Sequence, residues 1–189
     1  HSWVPDAPPV SADRPVGILG LGELGSACGQ AIARLGFPVS GWARSQKQID
    51  GITCHTGTDG LNTVLRQSQI LILLLPSTAA TENTLNAETL AMLPKGAFII
   101  NPGRGPLIDD DALLAALDSG QIGHATLDVF RVEPLPQDHP FWGHPKVTVT
   151  PHIASETRAP SASRAIAENI RRGEAGEPFL YLVDRDAGY

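Results

Sequence analysis

The chain is poor in cysteine, in net positive charge and in long apolar runs. It has 2 cysteines in 189 residues, too few for a disulfide-stapled fold and with no metal-ligand spacing around either of them, so no metal site is expected. Cys28 and Cys54 therefore read as reduced and structural, Cys28 on the buried stripe of a helix and Cys54 at the end of a short apolar segment. Lys and Arg number 14 against 20 Asp and Glu, a formal charge of −6. With no basic stripe, that balance argues against nucleic acid as a partner. The longest wholly apolar stretch, Ile70 to Pro76, is far too short to cross a bilayer, so no membrane is expected. No charged-then-apolar leader precedes a cleavage site, which makes a cytoplasmic location the default expectation. What remains, 42% hydrophobic and 18% charged, suffices for one substantial core.

Glycine, by contrast, is abundant, and its placement is informative. Gly20-Leu21-Gly22-Glu23-Leu24-Gly25 follows an apolar run from Val16 to Gly20 and precedes a helical stripe of Leu24, Ala27, Cys28, Ala31, Ile32 and Leu35. A second apolar strand, Phe37 to Trp42, comes next. Strand, glycine turn, helix and strand make a βαβ unit with a dinucleotide fingerprint. The first glycine allows a tight turn, the second lets backbone approach phosphate, and the third permits close helix–strand packing. The helix then aims unpaired N–H groups at the pyrophosphate. Gly20, Gly22, Glu23, Leu24 and Gly25 are the expected contacts.

The end of the second strand reads the cofactor's ribose. A site for NAD usually places a carboxylate about 20 residues past the fingerprint, but this chain has Trp42-Ala43-Arg44-Ser45-Gln46-Lys47. Arg44 can fork onto a 2′-phosphate and Ser45 can donate a further hydrogen bond. The expected cofactor is NADP (NADPH), with NAD less favoured.

Further along, the alternation continues. Strands are expected at 52–55, 70–75, 97–101, 123–128 and 147–150. The 70–75 strand lacks polar alternation, as a central parallel strand covered on both faces would. Helices are expected from Thr58 or Asp59 to about Leu65, over 87–93, over 109–117 behind three aspartates, and over 161–172. The pattern implies an α/β fold, a Rossmann-type doubly wound parallel sheet. Residues 1–15 read as a proline-rich arm, 16–154 as the dinucleotide-binding domain and 155–189 as a C-terminal segment. The opening His1 and this arm suggest that a preceding region of the natural protein is absent.

Ligands of such sheets sit outside the carboxyl ends of the strands. There the chain places Leu75, Pro76, Ser77 and Thr81, then Pro102, Gly103 and Arg104, then Asp128 followed by Glu133, and finally His152 and Ala154. These are the candidate cofactor and substrate contacts. Hydride transfer to a carbonyl makes an alkoxide that needs a proton and a nearby positive charge. Arg104 can bind a carboxylate and the adjoining carbonyl oxygen together. His152 can give up a proton near neutral pH, and Glu133, accepting from the far ring nitrogen, would favour the imidazolium. Bland readings of each residue stand beside these: Arg104 as a cap for Asp109–Asp111, Glu133 as a solvated loop acid, His152 as a satisfied strand-end histidine.

The ordered set Gly-x-Gly-x-x-Gly, Leu75 to Thr81, Asn101 to Gly105, Leu127 to Pro136 and Thr150 to Ala154 resembles the D-isomer-specific 2-hydroxyacid dehydrogenases. Residues 109–120 and 183–189 are similar to the subgroup acting on small 2-keto acids such as glyoxylate and hydroxypyruvate. The resemblance implies NADPH-dependent reduction of a 2-keto acid to the D-2-hydroxy acid. It assigns Arg104 to the substrate, Glu133 to the histidine and His152 to acid–base work. It also implies a homodimer built around the cofactor domain, with Trp3 on an arm reaching the partner. Because the family carries a first substrate-domain segment before its cofactor domain, the 189-residue chain is expected to bind cofactor but turn over substrate poorly. Other reactions of the family, such as phosphoglycerate or formate oxidation, and a non-catalytic nucleotide-sensing corepressor remain alternatives.

Overall fold

The structure, a computed structural model, describes residues 9–183 and residue 185. Trp3 and most of the 183–189 match lie outside the described residues. Seven strands form one sheet: β1 (Val16–Leu19), β2 (Val39–Trp42), β3 (Thr53–His55), β4 (Ile70–Leu73), β5 (Ala97–Asn101), β6 (Ile122–Leu127) and β7 (Val147–Val149). Their order is β3-β2-β1-β4-β5-β6-β7, and every pairing is parallel. This is the expected Rossmann-type fold, and the strand order reverses between β1 and β4, where such sheets open a crevice.

Register matters more for the site than strand length. Leu19 is level with Trp42 on one side and Leu73 on the other, and Asn101 is level with Leu127, which is level with Val149. The segments beginning at Gly20, Ala43, Leu74, Pro102, Asp128 and Thr150 therefore leave the sheet along one edge.

Among the described residues, five α-helices accompany the strands: α1 (Glu23–Arg34), α2 (Gly57–Gln67), α3 (Ala87–Met92), α4 (Asp110–Asp118) and α5 (Ala159–Ala175). Alternating side chains of β1 separate two cores. Leu19 joins Val64 and Leu65 of α2, Leu71 and Leu73 of β4, and Leu113 and Leu117 of α4. On the other face Val16 and Ile18 pack with Val39, Ile52 and the α1 residues Ile32 and Ala33. Local chemistry sets the helix ends. Asn86 and Thr89 form a reciprocal capping box on α3, and the Asp109 carboxylate accepts from the Ala112 N–H at 3.0 Å on α4, each replacing a missing intrahelical partner. Gly120, at φ 75°, takes the chain out of α4 in the left-handed conformation that glycine accommodates.

Three local expectations need correction. The stripe Leu24, Ala27, Cys28, Ala31 and Leu35 faces outward, and Cys28 is exposed. The buried face of α1 is made by Gly25 and Gly29: a Cβ on Gly25 would lie 1.8 Å from the Gly20 carbonyl oxygen, and one on Gly29 2.4 Å from Ile52. Helix and strand approach too closely there for side chains, so of the six-residue apolar stripe only Ile32 packs inward. The second helix starts after Thr56 rather than at Thr58 or Asp59, and no side chain caps it. Strand β4 is completely buried only on its Leu71 and Leu73 face; Ile70 and Ile72 stay half-buried. Cys54 is half-buried.

Backbone contacts divide the chain into a first unit ending at Pro151 and a second beginning at His152. In the second unit α5 buries none of its residues, and Ile166 and Ile170 are exposed along it. The tail folds back on the helix through Asn169, which donates to the Leu180 carbonyl and accepts from its N–H.

Candidate functional site

The three fingerprint glycines have three different surroundings. Gly20 sits at φ 103°, where an added Cβ would meet the Leu74 carbonyl oxygen at 2.4 Å; the turn and the close approach of the β4 end both exclude a side chain. At Gly22 an added Cβ meets nothing within 4 Å. That residue is the N-cap of α1 and offers no side-chain cap, so the N–H groups of a twelve-residue helix face open space. Gly25 closes the helix onto the strand. An open, uncapped helix start is the environment an anionic phosphate pair needs, and these residues fit a dinucleotide.

One strand over, β2 ends at Trp42, whose indole N–H donates to the Gly57 carbonyl at 2.8 Å and ties the strand end to the start of α2. Ala43 is buried, and from Arg44 to Lys47 the side chains are exposed. Arg44 and Ser45 therefore stand on the same sheet edge as the glycine turn, with no carboxylate until Asp50.

On the far side of the crevice the loop after β4 is self-bonded. Thr81 Oγ1 donates to the Pro76 carbonyl at 2.7 Å and accepts from the Thr78 N–H at 2.9 Å, which pins Leu75 and Pro76 and leaves Ser77 exposed. The loop after β5 is shaped by Asn101, 1% exposed. Its amide donates to the Arg104 carbonyl at 2.9 Å and its oxygen accepts from the Gly103 N–H at 3.1 Å. Asn101 was legible only as part of the Asn-x-x-Arg-Gly motif; burial reveals that it clamps the turn that presents Arg104. Arg104 is exposed and its guanidinium donates to the Gly103 carbonyl at 2.6 Å. Of the aspartates at the start of α4, Asp110 is served by another arginine, Arg131, whose Nε lies 3.9 Å from Asp110 Oδ1.

Asp128, 4% exposed, accepts from the Thr150 hydroxyl at 2.6 Å, joining the ends of β6 and β7. Glu133 is exposed and accepts from the Phe130 N–H at 2.9 Å. The Arg104 and Glu133 segments are in contact: a Cβ on Gly105 would lie 1.9 Å from the carbonyl carbon of Phe130. The structure thus brings the Arg104 turn and the Glu133 turn side by side on the carboxyl edge. His152 opens the second unit at φ 54°, a left-handed conformation that costs a non-glycine residue of order 1–3 kcal/mol and concentrates at functional positions. Ile153 and Ala154 follow it, and all three are exposed. Among the described residues, no group of His, Cys, Asp and Glu could hold a metal ion. None of their helices is long and apolar enough to cross a membrane.

A parallel sheet with a glycine turn at its switch point, and polar loops gathered along its carboxyl edge, defines the Rossmann class of α/β domains. Within that class the chain belongs to the D-isomer specific 2-hydroxyacid dehydrogenase family, whose NAD binding domain matches residues 3–154. Glyoxylate/hydroxypyruvate reductase A of Salmonella newport (strain SL254) is 43% identical over 187 residues, 99% of this chain and 60% of that protein. A D-isomer specific 2-hydroxyacid dehydrogenase from Xanthobacter autotrophicus Py2, solved with NADPH and MES, superposes with a TM-score of 0.95. It is 49% identical, covering 99% of this chain and 77% of that one. The NADPH-dependent glyoxylate/hydroxypyruvate reductase of Sinorhizobium meliloti, solved with NADP and sulfate, superposes with a TM-score of 0.94. Its identity is 38%, over 100% of this chain and 61% of that one. The chain thus spans about 60% of the length of the curated relative.

Proposed function

We propose that the chain is the NADPH-binding portion of a reductase that converts a small 2-keto acid, of the glyoxylate or hydroxypyruvate type, to its D-2-hydroxy acid. The observation that carries the reading is the open, uncapped start of α1 at Gly22 with Arg44 and Ser45 at the next strand end. The two solved relatives named above hold NADPH or NADP. In this reading Gly20, Gly22, Glu23, Leu24 and Gly25 receive the pyrophosphate, and Arg44 and Ser45 take the 2′-phosphate. Leu75, Pro76, Ser77, Thr81, Pro102, Gly103, Asp128 and Ala154 line the remainder of the cofactor.

When bound, the reduced nicotinamide supplies the hydride. Arg104 binds the substrate carboxylate and steadies the charge that develops on the carbonyl oxygen. His152 delivers the proton to that oxygen, and Glu133 favours the protonated ring. The domain division at about residues 154 and 155 assigns the remainder to a substrate domain, and the protein is proposed to be cytoplasmic and homodimeric. A proton-delivering histidine favours reduction of a 2-keto acid over formate oxidation, which has no hydroxyl proton to move.

The test is NADPH oxidation by the intact protein with glyoxylate and hydroxypyruvate. Replacing His152 by Gln should lower kcat by about 100-fold or more, the usual size of a general acid's contribution, and weaken NADPH binding far less. A nucleotide-sensing scaffold would show no turnover to lose.

A further inference from the structure

Arg131 has a denser set of partners than its sequence position suggests. Its Nε donates to the Ile108 carbonyl at 3.0 Å, and its Nη2 to the same oxygen at 2.6 Å and to the Pro106 carbonyl at 3.3 Å. Nη2 also donates to Asn83 Oδ1, and Nη1 donates to Glu82 Oε1 at 3.3 Å. One guanidinium thus joins three segments: residues 82–83 just after Thr81, residues 106–108 just after Arg104, and its own turn, which ends at Glu133. The first two segments are already paired, Asn83 N–H to Pro106 at 2.9 Å and Leu85 N–H to Leu107 at 3.0 Å. Asn83 sits at φ 51°, a left-handed conformation that asparagine tolerates.

Beyond the strand pairing that ends with the Asp128 N–H on Asn101 at 3.0 Å, the third segment is joined by Arg131. Its backbone is also pressed against the neighbour of Arg104, since a Cβ on Gly105 would lie 2.4 Å from the Arg131 nitrogen. A shift of Arg131 is therefore transmitted to the Arg104 turn directly.

We propose that Arg131 is a positioning residue, whose fork sets the Arg104 turn against the Glu133 turn and so fixes affinity for the 2-keto acid carboxylate. The proposal rests on the roles given to Arg104 and Glu133 above. Only arginine serves here, because a planar fork with five donors can hold two carbonyls and an amide oxygen at once, whereas a lysine ammonium is a point donor on a flexible stem. The glycine turn and Arg44 belong to other strand ends, so those cofactor contacts do not depend on the fork, whereas Thr81 and Gly103 lie beside it.

The experiment compares Arg131→Lys and Arg131→Ala with the unsubstituted intact protein. The expected result is a fall in kcat/KM for glyoxylate of about 10- to 100-fold, carried mainly by KM, as misplacement on the ångström scale produces. Lysine should rescue little of it, and the Kd for NADPH should rise several-fold less than kcat/KM falls, because the glycine turn and Arg44 lie away from the fork. Amide hydrogen exchange supplies a readout that needs no turnover: the Asn83, Leu85, Asp109 and Phe130 amides should exchange faster, and those of the strands should not. Unchanged kcat/KM, full rescue by lysine, an equal loss of NADPH affinity, or faster exchange across the whole sheet would each overturn the proposal. If the unsubstituted protein reduced no 2-keto acid, the reductase reading would fall, while the exchange pattern would still decide whether Arg131 holds these loops.

Discussion

Residues of one type do different work along this sheet edge, and glycine shows it best. Gly20 is required by its backbone angle and by the Leu74 carbonyl, so Gly20→Ala should destabilise the protein by about 1–3 kcal/mol in chemical denaturation. Gly22 is required only by what sits above it. Asp at that position would cap α1 and favour its dipole, so Gly22→Asp should leave the melting temperature unchanged or raised. The same carboxylate would face the cofactor phosphates, and like charges about 4 Å apart near a protein surface oppose each other by about 4 kcal/mol. NADPH affinity should therefore fall by at least about 100-fold in a fluorescence titration. A variant that loses stability and binding together would show that Gly22 is structural. The glycine spacing, Arg44 and the strand-end arginine, glutamate and histidine were legible as residue types in context. Arg131 and Asn101 were not assigned roles, because what distinguishes them is a set of long-range partners and burial that no local pattern encodes.

At the scale of elements, strand and helix identity followed from periodicity and turn chemistry, and the boundaries moved by one to three residues where hydrogen bonding ended the element early or late. Helix α1 is the instructive exception. Apolar periodicity normally marks the buried face, but a βαβ unit that brings helix and strand into glycine contact reverses the rule, and Cys28 lies outside as a result. On α5, hydrogen bonds from Arg171 and then Arg172 hold the Glu168 carboxyl at about 2, down from its usual 4.5. A carboxyl whose folded value is depressed supports the fold fully above its unfolded value and loses that support as pH falls through the folded one. These are surface pairs that solvent screens and that contribute little, so circular dichroism should show only a small acid step of lost α5 helicity as pH drops from about 4.5 to about 2, diminished in Glu168→Gln. Persistence of the step in the variant would place its origin elsewhere.

For the molecule as a whole, the parallel sheet, its strand-end edge and its family were legible because each depends on ordered motifs separated by regular elements. The division after Pro151 was less so: it depends on where contacts thin out, and the motif around His152 runs across it without interruption. Net acidity and a lack of long apolar runs set the broad class, while the chemistry resides in a few loops.

The loops along this edge are proposed to hold a dinucleotide that carries a 2′-phosphate. This is tested most directly by titrating the chain with NADPH and with NADH under the same conditions. NADPH should bind saturably and more tightly than NADH by at least about tenfold, or about 1.4 kcal/mol, with the preference abolished by Arg44→Ala. Equal affinity for the two cofactors, or a preference for NADH that Arg44→Ala leaves unchanged, would contradict it.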